Sequence, residues 1–120
     1  MYIKTILTLI VFSLSVYANE TMTLTTSDEI ADAIKINRAI DHVTDKVMEC
    51  VNNNLAPAKE CYCLYPREVT SFKSTVQKIL KKHPNWEGKT ISWQIKNDPK
   101  GYGYTISILG IQTQMKMMCE

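Results

Sequence analysis

The chain has 120 residues, 14 Lys and Arg against 12 Asp and Glu, a formal charge of +2 and four cysteines. A length of this order is near the modal domain size and is expected to build one domain around a single modest core. An even, small number of cysteines in so short a chain reads as a disulfide framework wherever the chain is exported.

The first segment supplies that condition. Residues 1–18 read as a signal peptide: Lys4 carries the positive charge, Ile6 to Phe12 with Leu14 and Val16 form a short apolar core, and Val16-Tyr17-Ala18 fits a small-residue cleavage site, with cleavage expected after Ala18. The apolar run, interrupted by Thr8, Ser13 and Ser15, falls short of the ~20 residues a spanning helix needs, so no stable membrane insertion is expected after cleavage. The expected location is periplasmic or secreted, which argues against a nucleic-acid partner. Asn19-Glu20-Thr21 has the form of a glycosylation sequon at the mature N-terminus.

Residues 19–26 are expected as an extended N-terminal segment, a tail or a short edge strand, ahead of a single α+β domain over 27–120. Thr26-Ser27-Asp28-Glu29 has capping-box spacing, and Asp28 and Glu29 suit the positive end of a helix. Ile30, Ala33, Ile36, Ile40, Val43, Val47, Cys50 and Val51 follow at three- and four-residue steps, leaving Asp32, Arg38, Asp45 and Glu49 for the solvent side. Asn52-Asn53-Asn54 and Pro57 end this helix, and Pro57 can open one further helical turn. Pro66 then stands where a first-turn proline belongs, and Val69, Phe72, Val76, Ile79 and Leu80 make a second apolar stripe. Lys78, Lys81, Lys82 and His83 suit its C-terminal dipole, and Pro84 closes it.

Beyond Trp86 the period drops to two. Ile91, Trp93 and Ile95 alternate with Thr90, Ser92, Gln94 and Lys96; Asn97 to Gly101 forms a turn; and Tyr104, Ile106 and Ile108 alternate with Thr105 and Ser107. After Gly110 the apolar parity shifts to Ile111, Met115, Met117 and Cys119. This predicts either a turn at Leu109-Gly110 into a third strand or a bulge in one long strand. The expected fold is therefore α+β: two amphipathic helices followed by a three-stranded antiparallel β-meander, stapled by disulfides.

Among the cysteines, a bond between Cys61 and Cys63 would close a strained ring. Two schemes remain, Cys50–Cys61 with Cys63–Cys119, which is preferred, or Cys50–Cys63 with Cys61–Cys119. Charge is unevenly divided as well, with eight acids between Glu20 and Glu60 and most lysines after Arg67. Complementation within one fold accounts for this, and a basic patch for anionic surfaces is the sharper alternative.

No glycine-framed serine, phosphate loop or metal-ligand helix motif is present, and His42 and His83 are explained as a surface residue and a helix-end cation. The expectation is accordingly a non-enzymatic accessory protein that uses no cofactor and binds another protein or an envelope component. Its candidate binding residues are Trp86, Tyr102 and Tyr104 with the polar strand residues Ser92 and Gln94. The alternative is a soft-metal protein holding Cu(I) through Met115, Met117 and Cys119, since thioether and thiolate ligands select that ion. Against it, methionine on the core face of a strand is ordinary filler and a bridged cysteine offers no thiolate.

Overall fold

The computed structural model describes residues 20–95 and 97–119. The expected signal peptide, its cleavage site and the sequon asparagine lie outside the described residues. In chain order the elements are β1 (Thr21–Thr23), α1 (Ser27–Asn52), a short α2 (Ala58–Cys61) running into a 3-10 turn (Tyr62–Leu64), and α3 (Pro66–Lys82). A second 3-10 turn (Pro84–Trp86), β2 (Thr90–Gln94), β3 (Gly103–Ser107) and α4 (Ile108–Met117) complete the chain.

α1 begins at a complete capping box. Thr26 Oγ1 accepts from the Glu29 amide at 3.3 Å and the Glu29 carboxylate accepts from the Thr26 amide at 3.4 Å and its hydroxyl at 2.7 Å, so donors left over at the helix start are satisfied. α1 buries Ala33, Ile36, Val43, Val47 and Cys50. α3 turns Val69, Phe72, Val76, Ile79 and Leu80 toward it. With Trp86, Ile91, Trp93, Ile108 and Ile111 these residues, Val47 and Cys50 apart, form one core between a helical layer and a sheet.

The sheet differs from the expected meander. Its order is β1-β2-β3, with β1 parallel to β2 (Thr21 opposite Thr90) and β2 antiparallel to β3 (Thr90 opposite Ser107, Gln94 opposite Gly103). The segment expected as an extended tail thus supplies a strand. Leu24 sends its amide to the Ser92 carbonyl at 2.8 Å and its side chain into the core. Residues 108–117, expected as the end of one strand, a turn or bulge at Leu109-Gly110 and the strand that follows it, form the helix α4. The residues support both periods: Ile108, Ile111, Met115 and Met118 also recur at helical spacing, and all four lie in or against the core. Ser107 decides between them as an N-cap, its hydroxyl accepting from the Gly110 amide at 3.0 Å.

Disulfides join Cys50 to Cys61 and Cys63 to Cys119, with Cα separations of 5.8 and 5.3 Å. The first closes a small second cluster with Val47, Val51, Ala56, Tyr62 and Tyr65, and the second ties the segment after α4 to the 3-10 turn before α3. No helix among the described residues is long and apolar enough to cross a membrane.

Candidate functional site

The helix-facing side of the sheet carries Ile91, Trp93 and Ile95 opposite Ile106, Tyr104 and Tyr102. Burial falls off steeply along both strands. Ile91 is 0 % exposed, Trp93 3 % and Ile95 39 %; Ile106 is half-buried, Tyr104 48 % and Tyr102 61 % exposed. The helices therefore cover one end of this face and draw away from it toward the β2–β3 loop.

The uncovered end is one side of a groove of 570 Å³. Ile30, Ala31, Ile34, Asn37 and Arg38 of α1 form one wall, and Trp93, Gln94, Ile95 and Tyr104 the other. Trp93 and Tyr104 are cross-strand neighbours with ring centroids 5.5 Å apart and planes inclined at 28°, so the tyrosine is held by a buried neighbour although half of it meets solvent. Arg38 is exposed and makes no ion pair among the described residues, leaving one positive charge in a groove whose other lining residues are apolar or uncharged.

β3 borders this groove and is one of the sheet's two edge strands, paired only with β2 among the described residues. The Ile95 amide donates to the Tyr102 carbonyl at 3.1 Å, which makes that pair a hydrogen-bonded one. By the alternation of an antiparallel ladder, Tyr104 and Ile106 also turn their backbone groups to β2, while Gly103 and Thr105 direct theirs outward. The matching residues of β2 behave as this pattern requires. Ser92 accepts from Leu24 and Thr90 donates to Glu20 on the β1 side. Gly103 is needed where it stands, because a Cβ there would lie 2.6 Å from the Trp93 carbonyl oxygen.

A polar cluster within the helical layer braces the α1 wall. Asp32, expected on the solvent side, is the one buried charged residue among those described, at 5 % exposure. Its carboxylate accepts from His83 Nε2 at 2.7 Å and from Lys82 Nζ at 2.9 Å, with Lys35 Nζ 4.0 Å away, so both residues at the end of α3 are tied to α1. Hydrogen bonds from Lys82 and then His83 hold the Asp32 carboxyl below its ordinary range, outweighing the opposing effect of burial, and Asp32 in return raises the Lys82 ammonium. The His83 ring stacks on Trp86 at 4.1 Å between centroids and 8° between planes. Trp86 is 0 % exposed and its indole Nε1 has no hydrogen-bond partner among the described residues. Neither Asp32 nor His83 lines the groove.

The five binding candidates named from sequence are thus separated. Tyr104 and Gln94 line the groove, and Tyr102 is exposed in the adjoining loop. Ser92 lies on the opposite, polar face of the sheet, and Trp86 is in the core. Ile30, Ile34, Arg38 and Trp93 join the site without having been candidates. The available signal was parity: Trp93 and Tyr104 belong to the apolar sets of their strands and so share a face, whereas Ser92 belongs to the polar set; Gln94, of the same polar set, reaches the groove all the same.

The residues of the Cu(I) alternative are also placed apart from one another. Cys119 is bridged to Cys63, while Met115 and Met117 stand two positions apart on a helix, a spacing that sends side chains in diverging directions. Met115 packs against the core and Met117 is 68 % exposed. Among the described residues no group of three or more His, Cys, Asp or Glu is placed to hold a metal ion. No protein-family model, curated protein or solved structure matches this chain.

Proposed function

We propose that the chain is an exported, non-enzymatic binding protein that takes up an extended segment of a partner protein along the outer edge of β3. The observation that carries this reading is the coincidence of an open strand edge, at Gly103 and Thr105, with a half-covered apolar groove on the same border of the sheet. An added strand gains main-chain hydrogen bonds from the edge, and because its side chains alternate, every second one points to the groove side. Specificity then comes from the groove: an apolar or aromatic side chain seated between Ile34 and Tyr104, and a carboxylate within reach of Arg38. Two disulfides fit an oxidising compartment, where such a protein would meet its partner.

Selection from a displayed library of linear peptides on the oxidised protein tests the proposal. The expected result is enrichment of sequences with apolar residues at alternate positions beside an acidic residue. Tyr104→Ser should weaken the selected peptides by about tenfold or more, the loss expected for a rigid aromatic anchor. Envelope extract passed over the protein with its disulfides intact should then yield a partner containing such a segment. A library that enriches nothing, or peptides that bind Tyr104→Ser as well as the parent, would overturn the reading.

A further inference from the structure

A second groove, sharing no lining residue with the first, runs between α3 and α4 and has a volume of 440 Å³. Lys73, Gln77 and Lys81 line it at four-residue steps along α3, and Lys116 stands on the α4 wall four residues after Gln112. Leu80 and Met115 supply apolar surface, and Glu87 is the one acid in the lining. None of the three lysines makes an ion pair among the described residues, although Lys35, Lys46, Lys82 and Lys89 each meet a carboxylate. Charge complementation between the two halves of the chain therefore stops short of this groove.

The α4 wall is held from both sides. Gln112 accepts from the Gly88 amide at 3.0 Å, fixing the turn that carries Glu87, and Gln114 donates to the Tyr62 hydroxyl at 3.0 Å. Lys73 and Lys81 are separated by about 12 Å along their helix, while Lys81 and Lys116 approach the apolar strip from opposite walls. A volume of this order lies within the range of small-molecule pockets.

We propose that this groove binds a small amphiphilic anion as a free molecule, its phosphate or carboxylate head between Lys81 and Lys116 and its apolar body over Leu80 and Met115. Lys73 extends the positive field along the path of the body and favours ligands with a second acidic group. This site is independent of the β3 edge, so Tyr104→Ser leaves it unchanged.

The full oxidised chain, carrying methyl-labelled methionine, is titrated with dodecyl phosphate below its micelle concentration and followed by the Met115 methyl resonance. A saturable shift at Met115 is expected, with dodecyl maltoside and inorganic phosphate each binding at least about tenfold more weakly because each offers only half of the complement. Lys81→Gln with Lys116→Gln should weaken dodecyl phosphate by about tenfold or more with the far-ultraviolet circular dichroism unchanged; should that pair unfold, Lys116→Met alone carries the same expectation at about threefold. Equal binding of the neutral detergent, equal binding of inorganic phosphate, or lysine variants that bind like the parent would overturn the proposal. Uptake onto phosphatidylglycerol vesicles with no Met115 shift from the monomeric amphiphile would overturn it too, assigning the lysines to a membrane surface.

Discussion

Asp32 shows how one side chain can be misjudged by pattern and still be decisive. Its position among the polar residues of α1 suggested solvent, yet the end of α3 folds over it and closes its carboxylate between the Lys82 and Lys35 ammonium groups and the His83 ring. Asp32→Asn keeps one acceptor oxygen but removes the charge and turns an amide donor toward two donors, and should cost about 1–3 kcal/mol at neutral pH, the range for weakening hydrogen bonds to a buried charged group. The pH dependence has a definite sign. A carboxyl whose folded pKa lies below its unfolded value of about 3.9 stabilises the fold above that value and loses the contribution as pH falls through the folded pKa. Urea melts of parent and Asp32→Asn should therefore differ most at pH 6–7 and converge as the pH drops below about 4; a constant gap down to pH 2 would remove the carboxylate from the explanation.

At the scale of elements, the helices were legible because the capping residues and the apolar spacing of α1 and α3 agree with one another. Thr26 with Glu29 marks one start and Pro66 the other. The C-terminal segment was not legible in the same way. Ile111, Met115 and Met117 fit a strand, Ile108, Ile111, Met115 and Met118 fit a helix, and the choice rested on Ser107 serving as a cap rather than as the polar partner of Ile106 and Ile108. Threonines 21 and 23 gave no sign of their pairing either, because a parallel partner lies some seventy residues away along the chain and only packing of Leu24 and Met22 brings it near. The site was half legible for a related reason: strand parity groups Trp93 with Tyr104, but nothing local states that the helices bury the first and leave the second half exposed.

The strand that borders the groove makes a separate prediction. A methyl group at position 103 meets a backbone oxygen rather than a flexible side chain, so the strands must shift to admit it. Gly103→Ala should cost about 1–3 kcal/mol, the usual penalty for overpacking, and speed amide exchange along β2 and β3. Unaltered stability would mean that the β2–β3 pairing relaxes freely at this end.

For the whole molecule, the two disulfides constrain loops of different length, with partners 11 and 56 positions apart. On the chain-entropy account they contribute about 3 and about 4 kcal/mol, together comparable with the net stability of a small domain. The longer bridge also holds α4, and with it one wall of the lysine groove, against the turn before α3. Cys63→Ser combined with Cys119→Ser should lower the urea midpoint more than Cys50→Ser combined with Cys61→Ser, while Cys119→Ser alone leaves Cys63 free and should give a disulfide-linked dimer on a non-reducing gel. The reverse order of midpoints would show that the buried Cys50–Cys61 cluster outweighs the longer loop.

Strand addition at β3 is tested most directly by the outward-facing amides of that strand. Thr105→Pro removes one of them at a position where β2 takes no hydrogen bond, a substitution that an edge strand tolerates. With a library-selected peptide bound, the Gly103 and Thr105 amides of the parent should exchange at least tenfold more slowly, and Thr105→Pro should keep its fold and lose the peptide. Free exchange of both amides in the bound state, or undiminished binding by a folded Thr105→Pro, would contradict the account.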